Sequence, residues 1–341
     1  MMTVSVCMIV KNEEQTLGIC LASLKDIADE IIVVDTGSDD RTKEIAASFH
    51  AKIFDLPWTD DFAAARNHAF SLATGDYIYS ADADEELDAE NREKFLKLKA
   101  DLSDGTLDAD IVQFFYAGQL SQNSVYNYDR EYRPKLFKRV RSFVWEGAVH
   151  EQVRLDPVVF DSDIEIMHRP HGQHAERDLR IFSKMAAQGS DMPARLVKLY
   201  ARELFIAGTD SDIAEARAFF AERVDFEDDG DAVEAALLVL LRAARVTGDE
   251  EAFLKYAVRI LDGGMKSSEF CVELGRHYLD KNDAEEALIW FLAAAEQEEP
   301  SLDIRTGGML AYRGAAESFR HLGNEERAGE YEKMAESEER K

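Results

Sequence analysis

The chain has 341 residues, 46% hydrophobic and 32% charged, which is apolar enough to build two globular domains and too unbiased for a disordered or fibrous protein. Forty Lys plus Arg stand against 68 Asp plus Glu, and the formal charge of -28 argues against long-range attraction to nucleic acid or to an anionic membrane face. No stretch approaches about 18 uninterrupted apolar residues, so no transmembrane segment is expected.

The start, Met1-Met2-Thr3-Val4, shows no basic segment followed by an apolar run and a cleavage site. Cys7, Cys20 and Cys271 have no zinc-type spacing, and two of them fall on apolar stretches. Together these features lead to the expectation of a cytoplasmic protein without disulfides.

Val4 to Val10 is a nearly continuous apolar run, the pattern of a strand covered on both faces. A helix follows from about Glu13, with Leu17, Leu21 and Leu24 on one face. Glu30 to Asp35 reads as a second buried strand, ended by Thr36 to Asp40, where Ser38 or Asp39 is expected to cap the helix that carries Ile45 and Phe49. Lys52 to Leu56, Phe62 to Ala73 and Tyr77 to Ser80 continue as strand, helix and strand. This alternation predicts an α/β fold with a mainly parallel, Rossmann-like sheet and helices on both faces, whose ligands bind beyond the carboxyl ends of the strands. Ile9, Val10, Asn12, Glu14, Asp35, Thr36, Asp82 and Asp84 all lie at or just past such ends.

The stretch Gly75 to Glu86, G-D-Y-I-Y-S-A-D-A-D-E-E, carries the chemistry. Alternate residues of a strand share a face, so an extended backbone through Asp82-Ala83-Asp84 would point both carboxylates one way. Paired carboxylates suit Mg2+ or Mn2+, which takes one or two of them together with substrate phosphates and water. Asp88 can cap a helix from Ala89 to about Leu102; then Asp110 to Tyr116 and Pro134 to Lys138 look like strands around a polar loop, Gln122 to Arg133. Trp145 to Glu151, W-E-G-A-V-H-E, precedes a strand-like Asp163 to Met167 and then His168 to His171.

From about Glu176 the pattern is helical, with turns at Ala207 to Thr209, Thr247 to Asp249, Lys281 to Asp283 and Leu322 to Asn324. Their spacing marks paired-helix repeats. Leu274, Gly275, Tyr278, Ala287, Phe291 and Ala294 match the tetratricopeptide pattern, and Ala316, Phe319, Ala328 and Ala335 repeat it loosely. The expected boundaries are 1–175 for the first domain and 176–341 for an all-α solenoid of about four units, an architecture that presents extended binding surfaces.

With those residues in view, the first half resembles a family 2 nucleotide-sugar glycosyltransferase, of GT-A fold, of the type that carries tetratricopeptide repeats behind the catalytic domain. The matching stretches are V-C-M-I-V-K-N-E-E, E-I-I-V-V-D-T-G-S-D-D-R-T, W-T-D-D-F-A-A-A-R-N-H-A, A-T-G-D-Y-I-Y-S-A-D-A-D-E-E and W-E-G-A-V-H-E. The resemblance implies a nucleotide-diphosphate-sugar donor, a UDP-sugar first, with Ile9, Val10, Asn12 and Glu14 lining the nucleotide end. Asp35 and Thr36 would contact base or ribose, Arg66 the diphosphate, and Asp82 and Ala83 the ribose or sugar. Asp82 and Asp84 would form the metal pair for Mn2+ or Mg2+, with Asp84 the direct ligand; apart from the resemblance, His168 is read as a third metal ligand or a diphosphate contact. Many relatives carry a second aspartate where Thr36 stands here, which leaves the base open.

The chemistry needs these residue types. A divalent ion neutralises charge on the departing diphosphate, and a carboxylate or histidine takes the acceptor proton. Glu151 is the expected base, with Glu146 and His150 behind it. The expected activity is inverting transfer to a protein, peptide or glycan acceptor, with a homo-oligomer through the repeats left open. Two alternatives stay beside it: a non-catalytic repeat adaptor with a relic nucleotide-binding domain, and a nucleotidyltransferase, against which the glycine-free loop Lys11 to Gln15 speaks.

Overall fold

In the computed structural model, residues 2–117, 130–140, 145–146, 152–153, 156–168, 175–189 and 192–339 are described. The chain divides into two compact units, Met1–Gly172 and Gln173–Lys341.

In the first unit the apolar runs become strands: β1 (Val4–Val10), β2 (Glu30–Asp35), β3 (Lys52–Asp55) and β4 (Tyr77–Ser80). They alternate with α1 (Leu17–Leu24), α2 (Thr42–Ser48) and α3 (Phe62–Ser71). After β4 come β5 (Glu85–Glu86), α4 (Ala89–Asp104), β6 (Ile111–Ala117), β7 (Arg130–Lys138), β8 (Trp145–Glu146), β9 (Gln152–Val153) and β10 (Val159–His168). The main sheet runs β3-β2-β1-β4-β7-β6-β10-β5, and β8 pairs with β9 apart from it. β1 pairs in parallel with both β2 and β4, and β2 with β3. β7 runs antiparallel between β4 and β6, β6 pairs in parallel with β10, and β10 pairs antiparallel with β5.

Both faces are covered because both faces of the central strands are apolar. Leu17, Leu21 and Leu24 of α1, Ala46 of α2 and Phe95 and Leu98 of α4 pack with Val4, Val6 and Met8 on one face. Ala69 of α3 closes the other face over Cys7, Ile32, Val34 and Ile78. Gly75, just before β4, permits the close approach to β1: a Cβ there would stand 2.8 Å from the Ser5 backbone nitrogen.

Three local expectations are corrected. Asp40, rather than Ser38 or Asp39, supports the start of α2, accepting from the Thr42 backbone N–H at 2.9 Å; Ser38 and Asp39 are turned instead toward Asn12. Of the expected polar loop Gln122 to Arg133, residues 130–133 are strand, since pairing with β6 satisfies that backbone, and the remainder lies outside the described residues. Pro134, which has no N–H for the ladder, is accommodated at a register shift between Val112 and Gln113. The backbone also does not stay extended through Asp82-Ala83-Asp84: it turns, and the Glu85 N–H donates to the Asp82 carbonyl at 3.1 Å.

The second unit is helical. After α5 (Ala175–Ala187), the pairs are α6 (Ala194–Ala207) with α7 (Asp210–Phe226), α8 (Gly230–Val246) with α9 (Glu250–Asp262), α10 (Ser268–Asp280) with α11 (Ala284–Glu296), and α12 (Met309–His321) with α13 (Glu325–Glu339). Each expected turn joins the two helices of one pair. In three of these turns a left-handed residue, Gly248, Asn282 or Gly323, is followed directly by Asp249, Asp283 or Asn324, whose side chain accepts from the next helix's first turn. Phe291 is fully buried, with Gly275 of α10 and Gly314 of α12 both against its ring.

Candidate functional site

The carboxyl ends of β1, β2 and β4 lie side by side, with Val10 paired to Asp35 and Cys7 to Ser80. Their order, with neighbours leaving β1 to either side, creates the crevice where ligands of open α/β sheets bind.

At the end of β2, Asp35 is 1% exposed. Its Oδ1 accepts from the Gly37 and Ser38 backbone N–H groups, both at 2.9 Å, while its Oδ2 is buried without a partner. Burial would raise this carboxyl, but the Ser38 and Gly37 hydrogen bonds and Lys43 outweigh it and hold it below the usual carboxylate range. It is therefore a charged acceptor with one free oxygen. Thr36 turns its hydroxyl to the Val10 carbonyl at 3.0 Å, bracing β1 against β2.

The loops after β1 and β2 are clasped. Asn12, at φ 58°, donates its N–H to Ser38 and accepts the Asp39 N–H through its side chain, both at 2.9 Å. The Glu13 N–H donates to Thr42 at 2.7 Å, and the Glu14 N–H to Asp40 at 3.1 Å. Glu14 returns the contact by accepting the Arg41 N–H at 3.3 Å.

Beyond β4, Arg66 of α3 donates to the Ser80 hydroxyl and to Asp82 Oδ1, the latter at 3.2 Å. Lys135 of β7 donates to the Ser80 carbonyl at 3.2 Å, to Asp82 Oδ2 at 3.1 Å and to Glu85 Oε1. Burial alone would raise the Asp82 carboxyl, yet Lys135 and Arg66 prevail and hold it well below the ordinary value. Glu85 moves the opposite way, pushed up by burial and by the Asp82 charge against the pull of Lys135. Ala83 is buried beside them.

Asp84 faces elsewhere. His168 Nε2 lies 3.0 Å from Asp84 Oδ2, the two brought together because His168 pairs with Glu85 across β5 and β10. His168 Nδ1 is buried without a partner, and the ring stands 5.1 Å from that of Tyr116.

Among the described residues no three His, Cys, Asp or Glu side chains form a ready metal cluster. Of the expected set, Asp82 has both oxygens committed to cations, whereas Asp84 and His168 face each other through Oδ2 and Nε2, an oxygen and a nitrogen donor of the kind that suit Mn2+ or Mg2+. That donor set fits a divalent cation. Glu151 and His150 lie outside the described residues, and of Glu146 only the backbone, in β8, is described.

Lys135 and Glu85 escape a reading of the sequence. A lysine in the strand R-P-K-L-F-K reads as solvated, and only the pairing of β7 with β4 sets it against Asp82. A cavity of about 480 Å³ lies away from this chemistry, at the starts of β2 and β3, where Glu30 is already paired with Lys52, Ser5 and Thr74.

Residues 5–153 match the model of glycosyl transferase family 2. Two curated relatives are a TPR repeat-containing protein of Synechococcus elongatus, 58% identical over 87 residues (26% of this chain, 22% of that protein), and the SPbeta prophage-derived glycosyltransferase SunS of Bacillus subtilis, 32% identical over 154 residues (44% and 34%). The matches thus span about a fifth and a third of those relatives' lengths. Among solved structures, glucosyl-3-phosphoglycerate synthase from Mycobacterium tuberculosis, in complex with Mn2+ and uridine diphosphate, aligns over 57% of this chain and 82% of its own, at 15% identity and TM-score 0.37. With its strand ends, its matching stretches and its paired helices, the chain matches glycosyl transferase family 2 over residues 5–153 of its first unit and carries tetratricopeptide-like helix pairs in its second.

Proposed function

We propose that the chain transfers a sugar from a nucleotide-diphosphate sugar to a protein, peptide or glycan acceptor, in a metal-dependent reaction that inverts the anomeric centre. One observation carries the reading: Asp35 with a free buried oxygen, the Arg66–Asp82 pair and the Asp84–His168 pair all stand at the carboxyl edge of one sheet. Each group meets a different part of such a donor.

Asp35 Oδ2 accepts an N–H of the base or a hydroxyl of the ribose, the step that satisfies its unpaired oxygen. Asn12 and Glu14 hold the floor beneath the nucleotide through their contacts to the next loop. Arg66, half-exposed and anchored on Asp82, presents positive charge toward the diphosphate. Asp84 and His168 would hold Mn2+ or Mg2+, which supplies charge neutralisation on the leaving nucleoside diphosphate. The acceptor proton is assigned to Glu151, with Glu146 and His150 as the neighbouring candidates from the sequence. The repeats, as extended surfaces, suit a macromolecular acceptor.

A panel of nucleotide sugars, with and without Mn2+, tests this reading. Released nucleoside diphosphate and a product of inverted anomeric configuration by NMR are expected. No turnover of any donor, together with nucleotide affinity in Mn2+ that is the same in Asp84→Ala as in the parent, overturns it and leaves the repeat adaptor.

A further inference from the structure

We infer that Lys135 is the positioning residue that divides the work of Asp82 and Asp84, fixing the turn after β4 so that Asp82 is withheld from the cation and Asp84 is offered to it. The inference rests on the donor reading above but concerns a residue that touches neither donor nor cation.

Lys135 is 4% exposed and Glu85 3%, so neither reaches a ligand in the crevice. The ammonium instead has three acceptors on three residues of one segment: the Ser80 carbonyl, Asp82 Oδ2 and Glu85 Oε1. An ammonium has three N–H donors, and here each finds an acceptor. Its fourth neighbour is the face of Tyr116, with the ring centroid 5.4 Å away. Glu85 adds a second tie, accepting the Asp82 N–H at 3.2 Å. The strand end, the turn and its exit are thus all held to one point on β7.

A buried ion pair contributes little stability beyond what an apolar pair of the same volume would give, because two charges must lose their water. What this pair supplies is geometry. With Lys135 on Oδ2 and Arg66 on Oδ1, Asp82 has neither oxygen free. Two residues further on, within the turn, Asp84 meets no such cation among the described residues and lies against His168. Two carboxylates two residues apart become unlike because one lysine 53 positions downstream of Asp82 claims the first.

The test uses the full chain and three variants. Lys135→Met removes the anchor; Lys135→Met with Glu85→Leu replaces the ion pair by an apolar pair that is expected to fold even where the single variant does not; Lys135→Arg keeps the charge and the donors. Two readouts apply to each. The first is amide hydrogen exchange at Asp82 to Glu86, expected to quicken about tenfold or more in the double variant, with slow exchange restored by Lys135→Arg. The second is donor turnover with Mn2+, expected to fall about tenfold to a hundredfold in the double variant at unchanged exchange elsewhere in the sheet. Exchange at Asp82 to Glu86 that matches the parent in a folded double variant overturns the inference whether or not the protein turns over a donor. Absence of turnover in the parent, with the exchange effect present, overturns the donor reading and leaves Lys135 as the anchor of the turn.

Discussion

Asp84 and His168 are 84 residues apart in sequence, yet His168 Nε2 lies 3.0 Å from Asp84 Oδ2 because the last strand of the sheet ends against β5. A carboxylate and an imidazole at hydrogen-bond distance can exchange their mutual contact for a shared cation. His168→Ala should therefore weaken Mn2+-dependent nucleoside diphosphate binding by about 10–100-fold, while metal-free binding stays near the parent value. Titration calorimetry with and without Mn2+ checks the contrast.

Asp35→Asn keeps an oxygen for the Gly37 and Ser38 N–H groups and can replace the unpartnered Oδ2 by a donor. The turn should survive, and the thermal midpoint should move little. Nucleoside diphosphate affinity should fall by about 1.5–3 kcal/mol, the scale of a hydrogen bond to a charged acceptor. Equal affinity in the two proteins would remove Asp35 from the nucleotide end.

Gly314 and Gly275 bracket the Phe291 ring, and a Cβ at Gly314 would fall inside the ring's van der Waals surface. Gly314→Ala is expected to destabilise the second unit by about 1–3 kcal/mol through overpacking. Chemical denaturation followed at the tryptophans reads the loss, and adding Phe291→Leu, which makes room, should recover part of it.

Glu203 of α6 is 7% exposed, and its Oε2 has no partner. Burial, reinforced by the charge of Asp178 and opposed by Arg202, pushes its carboxyl up to about 7. The folded state therefore binds this proton more tightly than the unfolded chain, whose glutamates titrate near 4.3. Stability from this group is fully present below about pH 4, declines as pH rises through the window to about 7, and is absent above it. Glu203→Gln should stabilise α6 by about 1–3 kcal/mol at pH 8 and by little at pH 4. Amide exchange in α6 at the two pH values measures the difference.

The parallel half of the sheet is legible because Val4 to Val10 and Glu30 to Asp35 are apolar on both faces, a local property that only a doubly covered strand needs. The helix pairs are legible because Gly248, Asn282 and Gly323 punctuate them, each followed by a capping residue. The contacts that make Asp82 and Asp84 unlike are not legible, although the resemblance already gives the two different roles. They depend on Lys135 and His168, which arrive through strand pairings made only after the chain has crossed the sheet twice. The support that Asp40 gives the start of α2 is hidden for the same reason: its competitors Ser38 and Asp39 are drawn off by Asn12, a residue of another loop.

That interlocking of the loops after β1 and β2 bears on the thermodynamics of recognition. Asn12, Glu13 and Glu14 already hold Ser38 to Thr42 through main-chain donors. A nucleoside entering there meets a surface that has lost its freedom during folding, so little ordering entropy remains to oppose association. Even the isolated nucleoside, without the diphosphate and the transferred sugar, should dock with a small entropic loss, and loosening the floor by Asn12→Ala should show itself as a less favourable binding entropy at nearly constant enthalpy.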